Sequence, residues 1–321
     1  MKSAVKIILL LGAVIAAVVL SQRLYHQLRS HPTARVEAAP KTNPVAIRST
    51  AAPLTKSAPA PVTVLPTAFP EWLRPVLAPV FGTPYAERVK ALQAGTGKLT
   101  GDDIKAIYSY LLAPTYTDAD SRVGENWLRN VMLDELVEQP SLPADLAAEL
   151  VSIYQNQEQD VVMRDYAIQH MDPAYDQASA EEKAALSRAL WQATGETDSS
   201  IAGTALLALN NLAQNDTEFD RNRIAQTALK LAGDEKCGGL ARITAVQLCG
   251  QMGVTQAAPL ALQLAQNAGS IPLRISAIAA LGDLGGRDTE TFLQEIAAGS
   301  EDRLKPAAET ALKKLGKRLG T

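Results

Sequence analysis

Any imidazole-dependent chemistry in the central and C-terminal parts of this chain has to be built around His170, because the other two histidines, His26 and His31, lie near its start. Arg164, Asp165 and Tyr166 stand one to two helical turns before it, and Asp165 is placed to orient the ring as a carboxylate does in a triad. Nothing in the sequence supplies the nucleophile. Tyr166 lies four residues from His170, on one helix face, which predicts a packed or hydrogen-bonded pair in place of catalysis. Gly95-Thr96-Gly97-Lys98-Leu99-Thr100 resembles a phosphate loop only in part. A Walker loop requires a glycine five residues before Gly97, where Leu92 stands, and a hydroxyl directly after the lysine, where Leu99 stands. The segment reads as a turn between two helices. Two cysteines exclude both a four-cysteine zinc site and a disulfide-stapled scaffold. Cys237, beside Lys236 at a helix start, reads as an inert cysteine at a helix entry, with a thiol pKa lowered by the lysine as the alternative, whereas Cys249 reads as a small buried hydrophobe. No catalytic, cofactor-binding or metal-binding set is assigned.

The elements that position these residues follow from composition and repeat. At 321 residues, 47% hydrophobic and 5% aromatic, the chain must pack its core with alanine and leucine. Its formal charge of −3 conceals an asymmetry. Residues 1–70 carry eight Lys/Arg and one acidic residue, Glu37, a net of +7, so the remainder is −10. That balance argues against nucleic acid as a partner.

Ile7 to Leu20 is free of charge and follows Lys2 and Lys6, the order of an export signal. Residues 1–21 are therefore expected to be a signal peptide, cut after Ser21, or a retained membrane anchor through residues 7–20. The sequence leaves both readings open. A stable span needs about 20 apolar residues, and this run reaches the short end of that range only if Lys6 snorkels. Residues 22–70 are rich in proline and alanine without apolar periodicity, and read as a disordered spacer. The expected location is the bacterial cell envelope, either anchored in the inner membrane with the folded part outside the cytoplasm, or periplasmic or secreted.

From residue 101 onward one helix recurs. Arg242-Ile243-Thr244-Ala245-Val246 aligns with Arg274-Ile275-Ser276-Ala277-Ile278, and Leu248-Cys249-Gly250-Gln251-Met252-Gly253 with Ala280-Leu281-Gly282-Asp283-Leu284-Gly285. The shared small-residue position runs Leu128, Ala167, Ala205, Ala245, Ala277, Ala308, at spacings of 39, 38, 40, 32 and 31. Between the copies lies a second amphipathic stretch: 144–154, 180–191, 223–231, 257–264 and 291–297. Each unit is thus two helices, and a lone helical hairpin cannot cover its own apolar face. The expected fold is all-α, an α-solenoid of about five to six stacked helical hairpins. Residues 71–112 form an N-terminal helical module and 113–321 the solenoid, closed by a helix made polar by Lys313, Lys314, Lys317 and Arg318. Gly253, Gly285 and Gly316 are expected to end helices in the left-handed conformation, and Asp160, Ser199, Asp216 and Asp288 to cap helix starts. In the first and third units Glu125 and Ala202 stand where Arg242 stands relative to Ala245.

The segment Leu273 to Gly285, with its basic residue, small residues and Leu-Gly-x-Leu-Gly, resembles the HEAT-repeat family and, in the last three copies, the short repeats of phycobiliprotein lyases. Gln157 to His170 is similar to a segment of exported bacterial HEAT-repeat proteins. The resemblance spans roughly residues 101–317 and is specific for architecture rather than activity. It implies a HEAT-like superhelix that serves as a non-catalytic scaffold, binding a protein or peptide on a face formed by the second helices, at Arg164, Asn210, Gln247 and Asp283. The alternative it implies is a bilin-lyase-like enzyme holding a tetrapyrrole. HEAT-like di-iron hydroxylases carry His-Glu pairs on successive repeats, which this sequence lacks.

Overall fold

The structure, a computed structural model, describes residues 69–80, 82–95, 97–113 and 119–320. All belong to one unit of the chain, Pro59–Thr321. The apolar run 7–20 and the Pro/Ala-rich stretch as far as residue 68 lie outside the described residues. Within them no helix is long and apolar enough to cross a membrane.

Fourteen α-helices and no strand are found among the described residues. A 3-10 turn, Glu71–Leu73, leads into α1 (Arg74–Leu77), followed by α2 (Tyr85–Gly95), α3 (Gly101–Leu112) and α4 (Ala119–Val137). Then come the pairs α5 (Leu146–Gln155) and α6 (Val161–Tyr175), α7 (Ala180–Ala193) and α8 (Ile201–Leu212), and α9 (Arg221–Gly233) and α10 (Gly239–Gln251). The last four are α11 (Ala258–Asn267), α12 (Ile271–Leu284), α13 (Arg287–Ala298) and α14 (Lys305–Leu319). Each pair from α5/α6 to α13/α14 is a hairpin, and α3 packs on α4 to make a sixth. The boundary drawn at residue 112 therefore falls inside a hairpin. The second helices α4, α6, α8, α10, α12 and α14 each pack on the next, with α2 ahead of α4 in the same row. The described part of the chain is an α-solenoid.

The helix boundaries follow local chemistry. Thr100 opens α3 with a reciprocal capping box to Asp103, and Ser179 opens α7 in the same way with Glu182. Asp160 caps α6 through Val162 N, and Ser199 accepts from Ile201 N at the start of α8. Asp216 instead closes a turn by accepting from Glu218 N, and the cap of α9 is Asp220, while Asp288 lies within the first turn of α13. Pro75, Pro259, Pro272 and Pro306 sit in first turns, where no backbone donor is lost. Of the three glycines expected to be left-handed, only Gly253 is, with φ 69°. Gly285 has φ −64°, and a side chain there would collide with Thr289. Gly316 lies inside α14, which runs on to a left-handed Gly320.

The repeated arginine has one structural task in common. Nε of Arg164 donates to Tyr154 O at 2.7 Å, that of Arg242 to Ala232 O at 2.8 Å, and that of Arg274 to Ala265 O at 2.9 Å. In each hairpin it ties the second helix to the last turn of the first, whose carbonyls lack helical partners. A charge-assisted bond of this kind contributes about 1.5–3 kcal/mol. Arg88 repeats the contact in α1/α2, donating to Val76 O at 2.9 Å. In the first full hairpin Glu125 occupies the arginine's place, and Arg129, one turn later, supplies the bonds to Leu111 O and Ala113 O. In the third, Ala202 is fully buried, and the adjoining Gly203 lets α10 approach: a Cβ there would lie 2.8 Å from the Ala241 Cα.

Candidate functional site

The turns that join the first to the second helix of each hairpin, together with the first turns of the second helices, form one edge of the array. Between hairpins α5/α6 and α7/α8 this edge holds a cleft of about 570 Å³, lined by Gln157, Val161 and Arg164 from one side and by Gly195 to Ser199 from the other. Two contacts build its wall. Arg164, only 6% exposed, spans the hairpins and places Nη2 at 2.8 Å from both carboxylate oxygens of Glu196. The Tyr154 hydroxyl donates to the same carboxylate at 2.7 Å, and its own pKa is raised first by burial and then by that bond. The following turn is fixed by the Gly238 amide, which donates to Thr197 O at 2.5 Å. Asp198, exposed, leaves the cleft with one more carboxylate than Arg164 offsets.

Most of the exposed large hydrophobic side chains lie in the N-terminal halves of the second helices, toward the same edge. Val123 and Trp127 on α4 are 77% and 43% exposed, Val161 and Val162 on α6 are 45% and 37%, and Leu240 on α10 is 48%. These are not scattered. Val123, Val162 and Leu240 each stand five residues before the shared small position (Leu128, Ala167, Ala245), so equivalent points of three hairpins present apolar surface to one side. In the hairpin between them Ser200 takes this place and donates to Asp165 Oδ2 at 2.5 Å. The α4 and α6 parts are held side by side by Asp160, which accepts from Asn126 Nδ2 at 3.3 Å and has Arg122 Nε 3.8 Å away.

His170 is not oriented by Asp165. It is 3% exposed, its Nε2 lies 2.9 Å from Asp134 Oδ1 on α4, and its Nδ1 lies 2.7 Å from Tyr166 O. Asp165 turns the other way, to α8, because two residues five positions apart on a helix face different neighbours. Burial raises the pKa of Asp165, with the Ser200 and Thr204 hydroxyls opposing it, and its Oδ1 is buried without a hydrogen-bond partner. Burial also raises both thiols, first for Cys237 with Asp234 adding to it, and for Cys249 to about 11. The lowered pKa that Lys236 could have given Cys237 is not found: the thiol is 6% exposed, and after burial the strongest influence on it is the negative charge of Asp234. Gly97 and Lys98 do lie in a turn, between α2 and α3. No group of three or more His, Cys, Asp or Glu that could hold a metal is found among the described residues.

Of the four residues expected on a partner-binding face, Arg164 and Asn210 are 6% and 7% exposed and serve packing between helices. Gln247 is half-buried and donates to Ser276 Oγ at 3.1 Å, and Asp283 is paired with Lys314 at 3.0 Å. The sequence reading missed the edge. Its signal was present: apolar Val123, Val162 and Leu240 at the same repeat position near the starts of three second helices, where a solvated helix end favours polar side chains.

No protein-family model matches the chain, and no curated protein matches it. Among solved structures it aligns with human deoxyhypusine hydroxylase in complex with glycerol, at 18% identity and a TM-score of 0.34, over 77% of this chain and 95% of that one. The protein matched is an enzyme, where the sequence led to the expectation of a non-catalytic scaffold. The cleft gives the tetrapyrrole alternative no support, since apart from Val161 and Gly195 its lining is amide, hydroxyl and charged groups, a poor seat for an apolar macrocycle.

Proposed function

We propose that this chain is a HEAT-like repeat protein of the bacterial cell envelope that captures a protein partner on its turn edge, around the cleft between α5/α6 and α7/α8. The observation that carries the reading is the convergence of a polar cleft with exposed Trp127, Val123, Val162 and Leu240 on a single edge. Clustered exposed apolar groups with a tryptophan are the composition of an interface centre. The placement in the envelope rests on the charged-then-apolar start of the sequence, with the proline-rich stretch as spacer.

Site-specific photo-crosslinking in the native cells tests it. A photoreactive side chain at position 127 or 162 is expected to give a discrete adduct, and one at exposed Glu309 on α14 none. Equal adducts at all three positions, or none at 127 and 162, would remove the turn edge as the contact surface.

A further inference from the structure

The partner's chemistry can be narrowed from the charges that surround the exposed apolar groups, an inference that rests on the turn edge being the contact surface. The three central turns, residues 156–160, 194–200 and 234–238, together hold six carboxylates and a single cation, Lys236. Two of the six are offset locally, Glu196 by Arg164 and Asp160 by Arg122. Glu158, Asp198 and Glu235 remain exposed to solvent beside Val161, Val162 and Leu240. An edge that alternates aliphatic first turns with acidic turns matches a segment that alternates aliphatic and basic side chains, and repels an acidic one. The apolar positions fall at the same repeat position of three hairpins in the row, with Ser200 at that place in the one between, a spacing that suits a linear occupant.

We infer that the turn edge is a docking site for a basic, amphipathic peptide segment: its aliphatic or aromatic side chains seat against Trp127, Val123 and Val162, and a lysine or arginine enters the cleft beside Asp198. Trp127 is the anchor, being the largest of the exposed side chains on the edge. Asp198 supplies orientation and rate more than affinity, since it is exposed to screening salt.

The test is a titration of the immobilised, purified full chain with three labelled twelve-residue peptides: one of leucine and lysine in amphipathic order, one with glutamate replacing lysine, and one with serine replacing leucine. The leucine–lysine peptide is expected to bind at least about tenfold more tightly than either of the others. Trp127→Ala is expected to weaken it about tenfold and Asp198→Asn about threefold at low salt, with Glu309→Gln without effect. Both edge substitutions are of exposed side chains, and unchanged helical circular dichroism shows that each variant is folded. Equal binding of the leucine–glutamate peptide, abolished by Trp127→Ala, would overturn the basic character while leaving the edge as a contact surface. Equal binding of the serine–lysine peptide, insensitive to Trp127→Ala, would reduce the effect to bulk charge and overturn the inference. So would the absence of binding below about millimolar concentration, whatever crosslinking at position 127 or 162 shows.

Discussion

The two ends of the array solve one packing problem in opposite ways. Toward the N-terminus the helices are held apart and bridged by buried ionisable side chains: Arg88, Asp103, Glu125, Arg129, Arg164 and His170 are each 6% exposed or less. Glu125 accepts from Arg129 Nε at 2.9 Å and from the Tyr110 hydroxyl at 3.0 Å, with Arg88 Nη1 3.6 Å away. Beyond residue 200 the buried polar residues are Asn210, Ser276 and Thr289, none of them charged. There the second helices touch directly. A Cβ on Gly203, Gly250 or Gly282 would lie 2.8–3.1 Å from an alanine Cα on the following second helix. Charge networks demand complete partners and so specify one arrangement, whereas glycine-alanine contacts work by close approach and fail by steric excess. The cleft lies where the bridged region gives way to the direct one, between α6 and α8.

That contrast can be broken from either side, most severely by exchanging the two chemistries. Glu125→Ala leaves Arg88 and Arg129 buried around a missing carboxylate and should cost about 3–5 kcal/mol. Ala277→Glu puts an unpartnered charge where the side chain is fully buried and should lose a comparable amount, about 3–5 kcal/mol. Chemical denaturation of both reads the effect, and a midpoint unchanged by Ala277→Glu would show that the α12 contact is misplaced. Gly282→Val drives a side chain into the Ala311 backbone and should cost about 1–3 kcal/mol, whereas the same change at Gly101, open to solvent on all sides, should leave packing intact.

A smaller effect sharpens the boundary between the two regions. Burial raises the pKa of Asp165 above the unfolded value of 3.8, so the folded chain holds this proton more tightly than the unfolded one. The carboxylate therefore costs nothing below that value, and stability falls as pH rises through the folded pKa. Asp165→Asn is expected to raise the melting temperature at neutral pH and to leave it unchanged in acid below 3.8. A gain of the same size at both would place the effect elsewhere. Smallest of all, Glu301→Gln releases Arg274 from a partner that is 54% exposed, while the bond to Ala265 O remains. Thermal unfolding should register less than about 1 kcal/mol.

The repeat was legible because helical periodicity and the recurrence of Arg-x-x-Ala are local patterns, set by which residues must face inward on each hairpin. From them follow the second helices and their order, and two of the four expected caps, Asp160 and Ser199. The burial of Arg164 and Asn210 was not legible, since a polar residue at a helix position reads as surface until the carbonyl or carboxylate that satisfies it is known. Tyr154 O belongs to the preceding helix and Glu196 to the following hairpin. The partner of His170 was hidden for the same reason: Asp134 is 36 residues away, and Asp165 was merely nearer in the chain. By itself, then, the sequence determined that this protein is a stack of helical pairs with an acidic folded part. Which side chains meet across hairpins, which apolar groups stay in water and where a cleft opens were decided only by the stacking, because those contacts join residues with no shared local pattern.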